Sequence, residues 1–238
     1  MQSLHRKRIE IAIKLWSKIL QGTYSSRSEL VKDLESEYKR AKLEPIRGKS
    51  RRNAYDKELT VVYLVGRYGL GLEPREYPKV YRRLFELELK CEEALGRILG
   101  GEDPNTVMRD VFDRVTEDLV FRVIRLAYVS VLLEFSSENC LIKLLSAFEK
   151  AMPSLHDRFR RFKKFFVAFR IAEAIVAREV RNRLEKEALK HALCLKFGAE
   201  KSAPPDEEIR LIATEVLGMP EYIVNDVLKA RNIELTLG

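Results

Sequence analysis

The densest chemical signal in the sequence is the run Pro45-Ile46-Arg47-Gly48-Lys49-Ser50-Arg51-Arg52-Asn53, which sets four cations within six residues. Like charges so close repel one another unless an anion neutralises them, and phosphate is an anion onto which guanidinium groups fork well. Gly48 lacks a Cβ and permits close backbone approach. The chemistry expected here is phosphate binding, with Arg47, Lys49, Arg51, Arg52 and Lys57 as the contacts. The plainer alternative is a solvated loop, or one that pairs with the protein's own acidic helices. Gly48-Lys49-Ser50 does not complete a Walker A loop, because Leu43 stands where the first glycine is required and no strand precedes it.

A second cationic stretch, residues 156–170, carries six basic residues against Asp157, a net of +5. Its aromatic residues follow a different logic. Leu155, Phe159, Phe162, Phe166 and Phe169 are spaced 4, 3, 4 and 3 apart, which fits a helix seam facing a core better than the alternative of a base-stacking platform. Arg160, Arg161, Lys163 and Lys164 fall mostly off that seam. They extend the phosphate-binding surface if the fold brings them to the basic loop.

No other constellation has the spacing of a working site. Glu187, His191 and Cys194 share a helix face, yet no second ligand cluster completes a metal site, and none is expected. Asp110, Asp113 and Glu117 read as a solvated acidic stripe on one helix. Finding them in a pocket beside Arg51 would instead favour metal-assisted nucleic-acid chemistry. With three histidines and no nucleophile elbow, a hydrolase triad has no support, so no catalytic residue and no cofactor is expected and the balance leans away from an enzyme. Gly66, Gly69 and Gly71 lack the strand-to-helix context of a dinucleotide fingerprint and read as helix termination and turn.

These residues sit in a chain of 238 amino acids that is 46% hydrophobic, enough to bury a core without disulfides or metals. Charged residues reach 34%, and glutamine occurs only at positions 2 and 21, a Lys/Arg/Glu-rich and amide-poor usage of thermophile type. The three cysteines have no CxxC spacing, which fits a reducing cytoplasm. No signal-peptide core follows the N-terminal cations, and no apolar run approaches the roughly 20 residues of a membrane helix. The net charge of +8 is unevenly spread: residues 1–8, 39–57 and 156–170 carry +3, +6 and +5, which leaves the remainder at −6.

The elements expected to position the cations are all helices. Apolar periodicity places helices over residues 4–20, from Ser26 or Ser28 to the region before Pro45, over residues 54–66, from Pro78 to about Leu99, and from Pro104 onward. The 54–66 segment is ambiguous with a strand through its TVVYLV run, but a lone strand needs an edge partner and the only other alternating run is Ile233, Leu235 and Leu237, so helix is expected. Residues 119–135 are apolar on nearly every side, as befits a central buried helix. Its interior arginines, Arg122 and Arg125, need partners, and Asp118 stands one turn before Arg122. A helix over 137–151 follows, and then one very long helix runs from Ser154 to about Lys196 with no Gly or Pro. The expected fold class is thus an all-α multi-helix bundle with one very long helix and a small C-terminal helical hairpin. Its layout is a main domain over 1–197, a linker at 198–205 and the hairpin at 206–238. The hairpin partly matches a helix-turn-helix, but Glu221 and Asp226 would meet phosphates with the wrong sign.

The segment PIRGKSRRNAYDKELTVVYLVGRYGLGL, with its helical lead-in, resembles an uncharacterised family of archaeal proteins, a domain of unknown function, over most of the first 200 residues. The resemblance implies an archaeal cytoplasmic protein, and a basic loop and YDKEL segment that form one unit. It brings no reaction and no ligand. From the residues themselves, the expected function is binding of structured RNA such as ribosomal RNA, read by shape through phosphate contacts. DNA is the less favoured polyanion. A protein-assembly role, with the hairpin as the docking element, is the alternative of a different class.

Overall fold

A computed structural model of the chain describes residues 5–46, 54–177, 183–198, 205–217, 219–226 and 228, and no strand occurs among them. The helices fall into two compact units, one formed by Met1–Ala41 with Arg51–Leu155 and the other by Lys42–Ser50 with His156–Gly238.

The first unit begins with α1 (Arg6–Leu20), whose apolar positions Ile11, Leu15, Trp16 and Ile19 fall on one buried face. Gly22, at φ +77, lets the chain turn away. α2 (Arg27–Arg40) is capped by Ser26, whose hydroxyl accepts from the Glu29 N–H, while the Glu29 carboxylate accepts from the Ser25 N–H at 2.7 Å. Such reciprocal capping satisfies N–H groups that have no intrahelical partner. α3 (Ala54–Leu64) is helix through the segment ambiguous with a strand, and residues 58–64 are all buried. It runs into a π-helical turn, Val65–Gly69.

That turn is shaped by Trp16. The indole N–H donates to the Val62 carbonyl at 2.6 Å, and a Cβ added to Gly66 would stand 2.3 Å from the indole ring. Only glycine fits there. Gly66 therefore serves packing, and Gly71, at φ +66, the turn beyond it.

α4 (Pro78–Leu99) starts on a proline at its first turn and stops at Gly100, as its periodicity predicts. It is kinked at Phe85 (φ −132, ψ 22). At the kink the Arg27 guanidinium enters, donating to the Leu84 carbonyl at 2.8 Å. Insertion of a side chain at a helix carbonyl is an ordinary cause of such a bend.

The helix expected to run on from Pro104 is two helices. α5 (Pro104–Val111) ends where Phe112 turns extended (φ −121, ψ 130), and α6 (Glu117–Leu132) starts afresh with Thr116 accepting from the Leu119 N–H. α6 is the buried central helix, packed against α3, α4 and α7 (Glu138–Ala151). Residues 123–132 are buried without interruption.

In the second unit the single very long helix is not what forms. α8 (His156–Ala177) and α9 (Arg183–Phe197) pack against each other, with the Phe166 and Phe197 rings 4.4 Å apart. In one continuous helix those residues would be separated by roughly 46 Å, at 1.5 Å per residue. The Phe seam drives the pairing: Phe159, Phe166 and Phe169 are fully buried, and a helix cannot cover its own apolar stripe. α10 (Asp206–Leu211) and a π-helical turn, Ile212–Val216, also pack on α8, burying Ile209, Ile212, Ala213 and Val216. Residues 221–226 are helical and Val224 is buried. Of the expected linker, Gly198 (φ +60) and Pro205 are described. No described helix is long and apolar enough to cross a membrane.

Candidate nucleic-acid interface

Arg47, Lys49, Arg51 and Arg52 lie outside the described residues. The chain leading into them is described and is firmly anchored: Leu43, Pro45 and Ile46 are buried in the second unit, while Lys42 is exposed and sits in the left-handed region at φ 54. Burial of three apolar residues in four holds the start of the basic run on a packed body. The YDKEL segment, by contrast, opens α3 in the first unit.

α8 carries the second set in the same unit as residues 42–46. Arg160 and Arg161 are exposed, and so is Arg158, a neighbour in the same stretch that lies outside the set read from sequence. Its charge and its place off the phenylalanine seam are the signals that find it. Lys163 and Lys164 are half-buried and turn toward their own unit. The Lys163 ammonium reaches the Gly198 region at the end of α9. Lys164 lowers the Glu208 carboxyl on α10, although burial, the larger effect, leaves Glu208 above its ordinary value. Arg170 hydrogen-bonds Glu173 one turn on. The exposed cationic face of α8 is therefore its first two turns, Arg158, Arg160 and Arg161.

Lys57 has a different setting, in the first unit. Its ammonium lies 2.8 Å from Asp118, which also accepts from Arg122 Nε at 2.9 Å. Burial raises the Asp118 carboxyl, but the hydrogen bonds from Lys57 and Arg122 outweigh it and bring the group down to about 2. The pairing of Asp118 with Arg122 anticipated from their spacing is thus present, and it continues inward. Arg122 also donates to Asp56 at 2.7 Å, Asp56 accepts from Arg27 at 2.7 Å, and Arg27 reaches both oxygens of Glu88 at 2.6 and 2.8 Å. Burial raises Asp56 as well, and the two arginines overcome it, so the carboxyl stays below its ordinary range. The network ties α2, α3, α4 and α6 together.

The acidic set dissolves in three dimensions. Asp110 belongs to α5 and accepts from Arg97 at 2.9 Å, Asp113 lies in the connection, and Glu117 opens α6, so the three share no helix face. The break at Phe112 separates them. Among the described residues no group of three His, Cys, Asp or Glu is placed to hold a metal ion. Cys194 is buried, and the side chains of Glu187 and His191 lie outside those described. Phe159, Phe166 and Phe169 are inaccessible to bases, as core packing of the seam requires.

A family profile described as "Uncharacterized protein conserved in archaea (DUF2192)" matches residues 2–228. Neither a curated protein nor a solved structure matches the chain.

Proposed function

The chain belongs to the DUF2192 family of proteins conserved in archaea, and from that premise we propose that it is a non-enzymatic RNA-binding protein. Structured RNA, ribosomal RNA in the first place, is the partner. Phosphate contacts come from Arg47, Lys49, Arg51 and Arg52, and from Arg158, Arg160 and Arg161. One observation carries the reading: residues 42–46, which lead directly into the basic run, belong to the same compact unit as α8, whose first two turns present three exposed arginines. Exposed guanidiniums on a rigid helix supply affinity through phosphate without reading sequence, so selectivity rests on RNA shape. Lys57, paired with Asp118, plays a structural part in this scheme.

The test is binding to ribosomal RNA, single-stranded RNA and duplex DNA over a salt series. The wild type is compared with a variant in which Arg47, Lys49, Arg51 and Arg52 are changed to Glu, and with R158E/R160E/R161E. Affinity for structured RNA falls sharply in both variants, and the slope of log K against log salt flattens by about 0.7–0.9 for each phosphate that is no longer neutralised. Equal binding by wild type and variants overturns the proposal.

A second reading, a protein-assembly factor that docks through its C-terminal helices, is favoured by Tyr222, which leaves 68% of its surface exposed next to the buried Val224. It replaces the first if no nucleic acid binds and one stoichiometric protein partner is lost on Tyr222→Ala.

A further inference from the structure

The first unit holds a pocket of about 500 Å³, which lies within the range of small-ligand sites. It is lined by the kinked α4, by the connection between α5 and α6, and by Arg27, Asp56 and Leu119 from α2, α3 and α6. Leu87, Phe112 and Leu119 give it an apolar side, and Arg82, Arg83 and Arg114 are exposed on its lining. Among the described residues no carboxylate pairs with these three arginines. Of the carboxylates on the lining, Asp56 is engaged by Arg27 and Arg122, and Glu86 lies 3.9 Å from Lys90. Asp113 is the one left against three guanidiniums.

The wall is also pre-set. Arg27 is clamped by Glu88, Asp56 and the Leu84 carbonyl, so the kink that shapes the α4 side is held by four hydrogen bonds of 2.6 to 2.8 Å. A pre-formed hollow with apolar surface and several charges on its lining has the general form of a ligand pocket, and pre-organisation lowers the cost of binding. Planar guanidiniums match phosphate oxygens two at a time and stack on flat rings.

We propose that this pocket binds a small phosphorylated ligand with a flat apolar body, of the nucleoside di- or triphosphate class, its phosphates held by Arg82, Arg83 and Arg114 and its ring resting against Phe112, Leu87 and Leu119. The site shares no residue with the RNA-contacting set and stands or falls separately from it.

Calorimetric titration of the full chain with ATP, inorganic triphosphate and adenosine tests the proposal, using wild type and R82A/R83A/R114A. The three side chains are exposed, so circular dichroism of the variant matches wild type. ATP binds the wild type, triphosphate binds at least tenfold more weakly, and adenosine more weakly still. The triple variant loses ATP affinity by about a thousandfold, about tenfold for each of the three charge-assisted contacts. Absence of both ATP and triphosphate binding overturns the proposal, as does an affinity for ATP that the triple variant retains within threefold. Triphosphate or adenosine binding as tightly as ATP overturns the two-part site. R158E/R160E/R161E keeps wild-type ATP affinity, and a parallel loss there would merge the two sites and refute their independence.

Discussion

The Trp16 indole occupies the space in which a side chain on Gly66 would begin, 2.3 Å from the nearest ring carbons, while its N–H donates to Val62. α1 and the end of α3 are thereby locked at a distance that only a glycine allows. Gly66→Ala should destabilise the protein by about 1–3 kcal/mol, the usual cost of overpacking a filled core. Urea unfolding followed by tryptophan fluorescence measures it, with Gly96→Ala as the control, since a Cβ on Gly96 meets nothing within 4 Å. Equal midpoints for G66A and wild type would contradict the packing described.

Glu88 is buried and takes two hydrogen bonds from Arg27. Glu88→Gln keeps the shape but removes the charge, and leaves the guanidinium at the α4 kink with Asp56 as its remaining carboxylate. A loss of about 2–3 kcal/mol is expected, in line with charge-assisted hydrogen bonds inside a protein. Glu102→Gln, which breaks the exposed pair with Arg97, should leave the urea midpoint unchanged. The contrast between the two midpoints is the measurement.

Acid should unfold the protein through its paired aspartates. Asp118 lies at about 2 in the fold, and Asp56 and Asp33 are also lowered from their ordinary values. A depressed folded value means that the unfolded state binds more protons, so stability rises with pH. The contribution is full above the ordinary aspartate value near 4 and is lost as pH falls toward 2. Urea midpoints at pH 5, 4, 3 and 2 should decline steeply over the lower interval. In Asp118→Asn the decline should be shallower, and an unchanged slope would rule out a part for Asp118.

Phe166 is fully buried and its ring lies 4.4 Å from that of Phe197. Phe166→Ala should cost about 3–5 kcal/mol. Phe162, half-buried on the same seam, should cost less on the same change. Equal effects at 162 and 166 would favour a solitary long helix over the α8–α9 pair.

Much of the local architecture is legible in the residues. Pro78 opens α4, Gly100 closes it, and the apolar run after residue 119 forms the buried centre, all as read from sequence, and of the two serines offered as the α2 cap the structure uses Ser26. The misreadings share a cause. Neither Phe112 nor residues 178–182 include a Gly or Pro to announce a boundary, so periodicity alone carries the helix onward. At Phe112 the chain leaves the helix because Thr116 can cap the next one, and at the end of α8 the Phe seam has a partner to cover in α9.

The candidate sites divide the same way. Charge clustering along the chain identifies Arg47 to Arg52 and the α8 cations, because like charges close in sequence are close in space whatever the fold. It does not distinguish exposed Arg158, Arg160 and Arg161 from Lys163 and Lys164, which turn toward α9 and α10. Nor does it find Lys57 spent on Asp118.

By itself, then, the sequence determined the helical class, the caps, the central buried segment and the cationic stretches, since each depends on interactions within a few residues along the chain. Only the tertiary structure decided that Trp16 meets Gly66, that Arg27 reaches Glu88 across 61 positions, and that Arg82, Arg83 and Arg114 line one pocket. Such adjacencies follow from which apolar faces bury one another, and that choice is made by the packing of whole helices, not by any local pattern.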